Sequence, residues 1–223
     1  MQDQQAKLMW RDDGTPVSAQ FDDPYYSLDN GLAETRHVFL TGNDLPARFT
    51  NGFHIAELGF GTGLNLLAAL DLWRSTGQTG QLRYTTFEAF PMGKNAMIRA
   101  QKSFPELSGI SGYVMGQWQD TALRLVTNDL DFTLVLGDAR ETLPAWQGAA
   151  NAWFLDGFSP AKNPELWAPS LMAEVARHTA PQGTAATYTA AGFVRRGLQD
   201  AGFIVERVKG YGRKRHMTVA RKP

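Results

Sequence analysis

The sequence predicts an α/β protein: a mostly parallel, seven-stranded sheet with helices on both faces, preceded by a small β-rich cap. Three observations carry this. From Phe53 onward, short apolar strand patterns alternate with stretches of helical periodicity, the order that builds a parallel sheet covered on both sides. Three closely spaced glycines, Gly59, Gly61 and Gly63, separate the first such strand from the first helix. The apolar stretch Ala152 to Leu155 ends in Asp156, and a loop from Gly157 to Pro164 follows at once. Ligands of parallel α/β sheets sit beyond the carboxyl ends of the strands, so Asp156 stands where chemistry is done.

Each element has its own signal. Residues 1–52 are rich in turn residues, such as Asp12-Asp13-Gly14 and Asp29-Asn30-Gly31, with strand-like pieces at Val17–Phe21 and His37–Leu40. They form the expected N-terminal cap, and residues 53–223 the Rossmann-like domain. In that domain, strands are predicted at 53–58, 82–88, 132–136, 152–156, 184–188, 203–208 and 216–220. Helices are predicted at 64–73, 94–104, 141–146, 166–177 and 192–201, the last with Thr189 as a candidate cap. Residues 105–130 are ambiguous. Gly109, Gly112 and Gly116 interrupt any helical pattern, and Ala122–Val126 looks strand-like. A basic, glycine-containing hairpin joins the last two strands.

Composition narrows the function. A chain of 223 residues is one large domain or two small ones, able to bury roughly 70% of its unfolded surface. No apolar run approaches the roughly 18 residues of a membrane span, and the N-terminus has no apolar signal region. The expected compartment is the cytoplasm, with no membrane partner. The absence of cysteine excludes disulfides, iron–sulfur clusters, thiolate zinc sites and a cysteine nucleophile. His37, His54, His178 and His216 lack metal-ligand spacing and read as surface or core residues, so no metal is expected. The net charge is zero, but Arg195 to Pro223 holds nine Lys or Arg against Asp200 and Glu206. That local surplus is either a phosphate footprint or a solvated face.

The glycine turn is more specific than a lone triad. Gly63 falls two residues after Gly61 rather than three, and Glu57 replaces the small apolar residue of dinucleotide-binding turns. The arrangement resembles the first motif of Rossmann-like, class I S-adenosyl-L-methionine (SAM) methyltransferases. Such a site calls for an acid at the end of the second strand to hold ribose hydroxyls, and Glu88 stands there. It calls for a second acid after the third strand near the adenine amine, and Asp138, with Ala139 beside it, fits. Without cysteine, carbon-5 pyrimidine methylation is disfavoured and a nitrogen or oxygen acceptor is expected. Asp156 is then the expected catalytic carboxylate, orienting an amine and accepting its proton. Phe158 forms an apolar wall. Lys162 reads as a substrate-phosphate contact or an exposed loop charge, and Asn163 is grouped with it. Asp23-Pro24-Tyr25-Tyr26 also looks like the signature of exocyclic-amine methyltransferases, but in permuted order.

Taken together, the chain resembles the methyltransferase domain of the MnmC family of tRNA wobble-uridine modification enzymes and its stand-alone relatives. The likeness covers most of the chain. It includes Asp29-Asn30-Gly31-Leu32-Ala33-Glu34-Thr35-Arg36, the stretch from Glu57 to Asn65, the loop from Phe154 to Pro164, and Lys209-Gly210-Tyr211-Gly212-Arg213-Lys214-Arg215. One departure is Ala89, where the family pattern has lysine. The resemblance implies SAM-dependent methylation of the aminomethyl nitrogen of 5-aminomethyluridine, or its 2-thio form, in tRNA. It further implies that Arg213, Lys214 and Arg215 meet tRNA phosphates, and that the family's FAD-dependent oxidase domain, with its FAD, is not part of this chain. The oligomeric state is left open, with a monomer as one option. Competing readings are a SAM-dependent enzyme acting on another amine, a non-catalytic RNA-binding module, and an NAD-dependent dehydrogenase.

Overall fold

In the computed structural model, which describes residues 5–223, the chain opens with strands β1 (Leu8–Trp10), β2 (Pro16–Ser18) and β3 (Asp23–Pro24). These form a small antiparallel sheet in the order β1-β2-β3. Residues 1–4, part of the N-terminal stretch read above for a secretory signal, lie outside the described residues.

The chain then turns helical, where a strand was expected at 37–40. Asn30 accepts from the Ala33 N–H and caps α1 (Gly31–Thr35), which runs on through a π turn (Arg36–Leu40) and a 3₁₀ turn (Thr41–Asn43). The cause of the difference is tertiary. Val38, Phe39 and Leu40 are all buried, which a half-exposed strand does not allow. At Gly42 the turn presses on the sheet so closely that an added Cβ would lie 2.9 Å from both Ala186 and Met217.

The main sheet is built from β4 (His54–Leu58), β5 (Leu82–Glu88), β6 (Arg124–Val126), β7 (Leu130–Leu136), β8 (Ala150–Leu155), β9 (Thr179–Thr187), β10 (Ile204–Lys209) and β11 (His216–Arg221). Its order is β10-β11-β9-β8-β4-β5-β7-β6. The five central strands run parallel, while β6, β11 and β10 are antiparallel to their neighbours. The sheet therefore has eight strands, not seven. The extra one, β6, is a short edge strand hairpinned onto β7. It falls within Ala122–Val126, the stretch that looks strand-like in the sequence, and its exposed Arg124 pairs with Asp131 across the hairpin.

Among the described residues, seven α-helices accompany the sheet: α1, α2 (Leu64–Ser75), α3 (Lys94–Gln101), α4 (Ser108–Gln117), α5 (Ala139–Ala145), α6 (Pro169–Arg177) and α7 (Gly192–Asp200). The ambiguous stretch contains α4. Its three glycines face open space, so they weaken helix propensity without disturbing the buried face carrying Val114 and Met115. Thr189 accepts from the Ala191 N–H but is not the N-cap of α7, which is Ala191. Two apolar clusters sandwich the sheet. One holds Phe39, Leu66, Trp73, Tyr84 and Phe132 and includes the 31–49 segment. The other holds Trp153, Trp167, Leu171, Val175 and Leu198. Helices thus lie on both faces, as the alternation predicts.

Candidate active site

The order of strands reverses between β4 and β8. The two are direct neighbours, with Leu58 opposite Leu155, and the Asp156 N–H donates to the Leu58 carbonyl at 3.1 Å. Both loops leaving this point, the glycine turn and the Asp156 loop, therefore open onto one crevice, the switch-point position where α/β sheets bind ligands.

The glycines are required by geometry. Gly59, Gly61 and Gly63 have φ of +83°, +53° and +75°. A Cβ on Gly59 would sit 2.9 Å from the Asp156 carbonyl oxygen, and one on Gly61 3.0 Å from the Tyr25 ring. Gly59→Ala is therefore expected to cost about 1–3 kcal/mol from backbone strain and close contact. That lowers Tm by several degrees and weakens SAM binding, read by thermal unfolding and calorimetric titration. An unchanged Tm and affinity would contradict the close approach.

A cavity of about 310 Å³ fills the crevice. Its floor is the glycine turn and Asp156. Its walls come from the Asp23–Ser27 segment, α1, Phe158 and Tyr188, and Lys214 lies over one side. Phe158 stacks on Phe21 with centroids 4.8 Å apart and meets Tyr25 edge-on at 5.0 Å, giving an aromatic wall. The Asp23-Pro24-Tyr25-Tyr26 segment thus borders the same cavity as Asp156, although it precedes the glycine turn in the chain.

Beneath the floor is a polar network. Asn65, in the first turn of α2, donates through Nδ2 to Asp156 Oδ2 and to Glu57 Oε1, both at 2.8 Å. The Thr35 hydroxyl donates to Asn65 Oδ1 at 2.9 Å, which fixes the amide's orientation. The Gly157 N–H donates to Asp156 Oδ1 at 2.8 Å. Burial pushes the Asp156 carboxyl up to about 6; the Gly157 and Asn65 donors oppose the rise, nearby Glu34 adds to it, and Lys214 opposes it. Glu57 is fully buried and does not line the cavity; Asn65 stands between it and Asp156. Burial holds its carboxyl well above the ordinary range, favouring the protonated form. The Tyr84 and Thr86 hydroxyls are buried alongside without standard hydrogen-bond geometry.

Glu88 lines the cavity at the end of β5. Its carboxylate accepts from the Phe60, Gly61 and Phe90 N–H groups at 3.0, 3.1 and 2.8 Å, so it both braces the glycine turn and keeps acceptor capacity for hydroxyls. Asp138 is at the end of β7 and Ala139 follows it, but neither lines the cavity. Asp138 caps α5 and pairs with Arg140, which holds its carboxyl below the ordinary range, and Ala139 is buried in the second cluster.

The remaining expected contacts divide. Phe158 faces the cavity. Lys162 is turned away, held by the carbonyl and carboxylate of Asp22, and Asn163 precedes a 3₁₀ turn outside the cavity. In the β10–β11 hairpin, the Arg213 side chain is 93% exposed and Arg215 is also exposed. Lys214 instead turns inward to Glu34. Sequence reasoning missed Asn65 and Glu34. The first had a signal, a lone amide in the apolar run Leu64-Asn65-Leu66-Leu67; the second had only its place in the Asp29–Arg36 stretch that carries the family likeness.

These features define a doubly wound α/β protein with a glycine turn and a buried carboxylate bordering one cavity at its switch point. The chain belongs to the S-adenosyl-L-methionine-dependent methyltransferase family, whose model matches residues 106–223. It is 46% identical over 96% of its length to the tRNA 5-methylaminomethyl-2-thiouridine biosynthesis bifunctional protein MnmC of Pseudomonas aeruginosa, covering 34% of that protein. It is 47% identical over 97% of its length to the protein of the same name from Caulobacter sp., covering 38% of it. The chain thus spans about a third of these relatives. The crystal structure of MnmC2 from Aquifex aeolicus superposes with a TM-score of 0.79 at 26% identity, over 98% of this chain and 71% of that one. Among the described residues, no helix is long and apolar enough to cross a membrane.

The cavity suits SAM on its own geometry. The glycine turn lines the cavity with backbone, packed so closely on the Asp156 loop and Tyr25 that a side chain at Gly59 or Gly61 would clash. Glu88 lines the same cavity with a carboxylate that keeps acceptor capacity, and Asp156 ends the strand next to the one that leads into the glycine turn.

Proposed function

We propose that the chain methylates the aminomethyl nitrogen of 5-aminomethyluridine, or its 2-thio form, at the wobble position of tRNA, using SAM. The observation that carries this reading is Asp156, a carboxylate with a raised pKa on the floor of an aromatic-walled cavity next to the glycine turn. The identity to MnmC proteins across almost the whole chain supports the acceptor. The reaction would run in the cytoplasm, with tRNA as the macromolecular partner and with neither metal nor FAD taking part.

When bound, SAM supplies an electrophilic methyl group. The chain's residues do the rest. Gly59, Gly61, Gly63 and Glu88 hold the cofactor. Asp138 and Ala139, outside the cavity as it stands, remain the proposed adenine side, while Glu57 supports the site through Asn65. Tyr25 and Phe158 flank the flat acceptor base, which must leave its stack to enter. Asp156 takes the proton from the amine so that its lone pair is free, and the restricted cavity aligns it and excludes water. Arg213 and Arg215 bind tRNA phosphates, and Lys162 and Asn163 extend that surface along the loop.

Two experiments test this. Label from methyl-labelled SAM is expected in tRNA carrying 5-aminomethyluridine and not in the same tRNA with unmodified uridine; equal labelling of both would overturn the acceptor assignment. Charge reversal of Arg213 and Arg215 together is expected to weaken tRNA binding roughly tenfold or more at moderate salt, leaving SAM affinity unchanged. Unaltered tRNA affinity would remove the hairpin from the footprint.

A further inference from the structure

One cation of the basic hairpin bends back over the cavity, although its side chain stays 44% exposed. Lys214 reaches from the β10–β11 turn to Glu34 on α1, with Nζ 2.8 Å from Glu34 Oε1. The same ammonium lies 4.2 Å from the centroid of the Tyr188 ring. The Glu34 side chain is 11% exposed, and Glu34, Tyr188 and Lys214 all line the cavity that holds Asp156. The Tyr188 hydroxyl donates to the Gly157 carbonyl at 2.8 Å, which fixes the ring beside the Asp156 loop.

A buried carboxylate and an aromatic face meeting at one point form a site for an alkylammonium. The acceptor of the proposed reaction carries such a group, since an aminomethyl substituent is largely protonated in neutral water. Lys214 presents the same chemistry, an ammonium on an alkyl stem. We propose that Glu34 and Tyr188 form the binding subsite for the substrate's ammonium, and that Lys214 occupies it as an internal mimic until the hairpin moves. The proposal rests on the amine-methylation reading above and adds the residues that select a charged amine.

The hairpin's attachments fit a latch. Beyond Lys214 it is held by a solvent-exposed contact of Arg213 Nε with Asp29 at 3.8 Å and by His37 Nε2 donating to the Lys209 carbonyl at 3.0 Å. Exposed pairs of the Arg213–Asp29 kind hold weakly. Phosphates that engage Arg213 and Arg215 compete for the hairpin and draw Lys214 with it. The vacated subsite then accepts the substrate ammonium next to Asp156, which receives its proton. The transfer balances: one N–H bond breaks, one carboxyl O–H bond forms, and the lone pair stays on nitrogen.

The test uses 5-aminomethyluracil as the probe, with neutral 5-hydroxymethyluracil as control, titrated into the full chain by calorimetry or NMR. If the mimic fills the subsite about nine-tenths of the time, Lys214→Met is expected to bind 5-aminomethyluracil about tenfold more tightly than the unaltered chain. Adding Glu34→Gln to Lys214→Met is expected to remove that gain. Binding of 5-hydroxymethyluracil is expected to stay the same in all three proteins. Thermal unfolding identifies any variant that fails to fold; for those, Lys214→Gln and Glu34→Ala replace them. No gain with Lys214→Met, or an equal gain for the neutral control, would overturn the proposal. The readout is separate from the tRNA assay. Methylation of tRNA without a gain in amine binding sinks the mimic alone, and a gain without tRNA methylation sinks the acceptor assignment alone.

Discussion

Replacing Asp156 with alanine is expected to reduce methyl transfer at least about a hundredfold, because a positioned proton acceptor contributes on the order of 10²–10⁴ in rate. SAM binding and Tm are expected to change little, since the side chain lies at the cavity floor rather than in either apolar cluster. The pH dependence follows from the same group. Burial raises the Asp156 carboxyl to about 6, so it is ionised at neutral pH and can receive a proton. As pH falls through about 6 it becomes protonated, and the rate is expected to drop, approaching tenfold per unit below that point. Rate against pH between 5 and 8, at saturating SAM, measures this. A flat profile, or near-normal turnover by Asp156→Ala, would remove Asp156 from the proton-accepting role.

Asn65→Ala is expected to have the largest combined effect on stability and catalysis. One amide nitrogen bridges Glu57 and Asp156, and the amide oxygen accepts from Thr35. Deleting it leaves three polar groups without that partner, two of them buried. The expected cost is about 2–4 kcal/mol, for buried groups stripped of partners. In a chain of this size that lowers Tm by roughly 5–15 °C. The Asn65 donor opposes the upward shift of the Asp156 pKa, so its loss should raise that pKa further. The acid limb of the rate profile should move to higher pH. A destabilised variant with an unmoved acid limb would make Asn65 a structural residue only.

Much of this was legible in the sequence where burial is complete. Every residue of β4 is buried, and its apolar run with one acid reads as a central parallel strand directly. The glycine turn was legible because its three positive φ angles leave little choice of residue. Asp156 was legible as the acid ending an apolar run. What the sequence concealed depends on tertiary contacts. The 36–43 segment has β-branched and aromatic residues that suggest a strand, yet becomes helical because it is wedged against Ala186 and Met217. The edge strand β6 lies in a stretch that looks strand-like, whereas α4 was hidden by the three glycines on its open side. The three hairpin cations look equivalent in sequence, but the turn sends Lys214 toward Glu34 and its two neighbours toward solvent. Glu57 reads as a cofactor contact from its place before the glycines, and only the fold shows Asn65 interposed between it and the cavity.

The central claim is that this site places a methyl group on the aminomethyl nitrogen of a wobble uridine. The most direct measurement is digestion of tRNA carrying 5-aminomethyluridine to nucleosides, after reaction with methyl-labelled SAM, followed by mass analysis. The account predicts that the label appears in 5-methylaminomethyluridine, and that the product disappears with Asp156→Ala. Label in a ribose, in another base, or in no nucleoside at all while SAM still binds would contradict it.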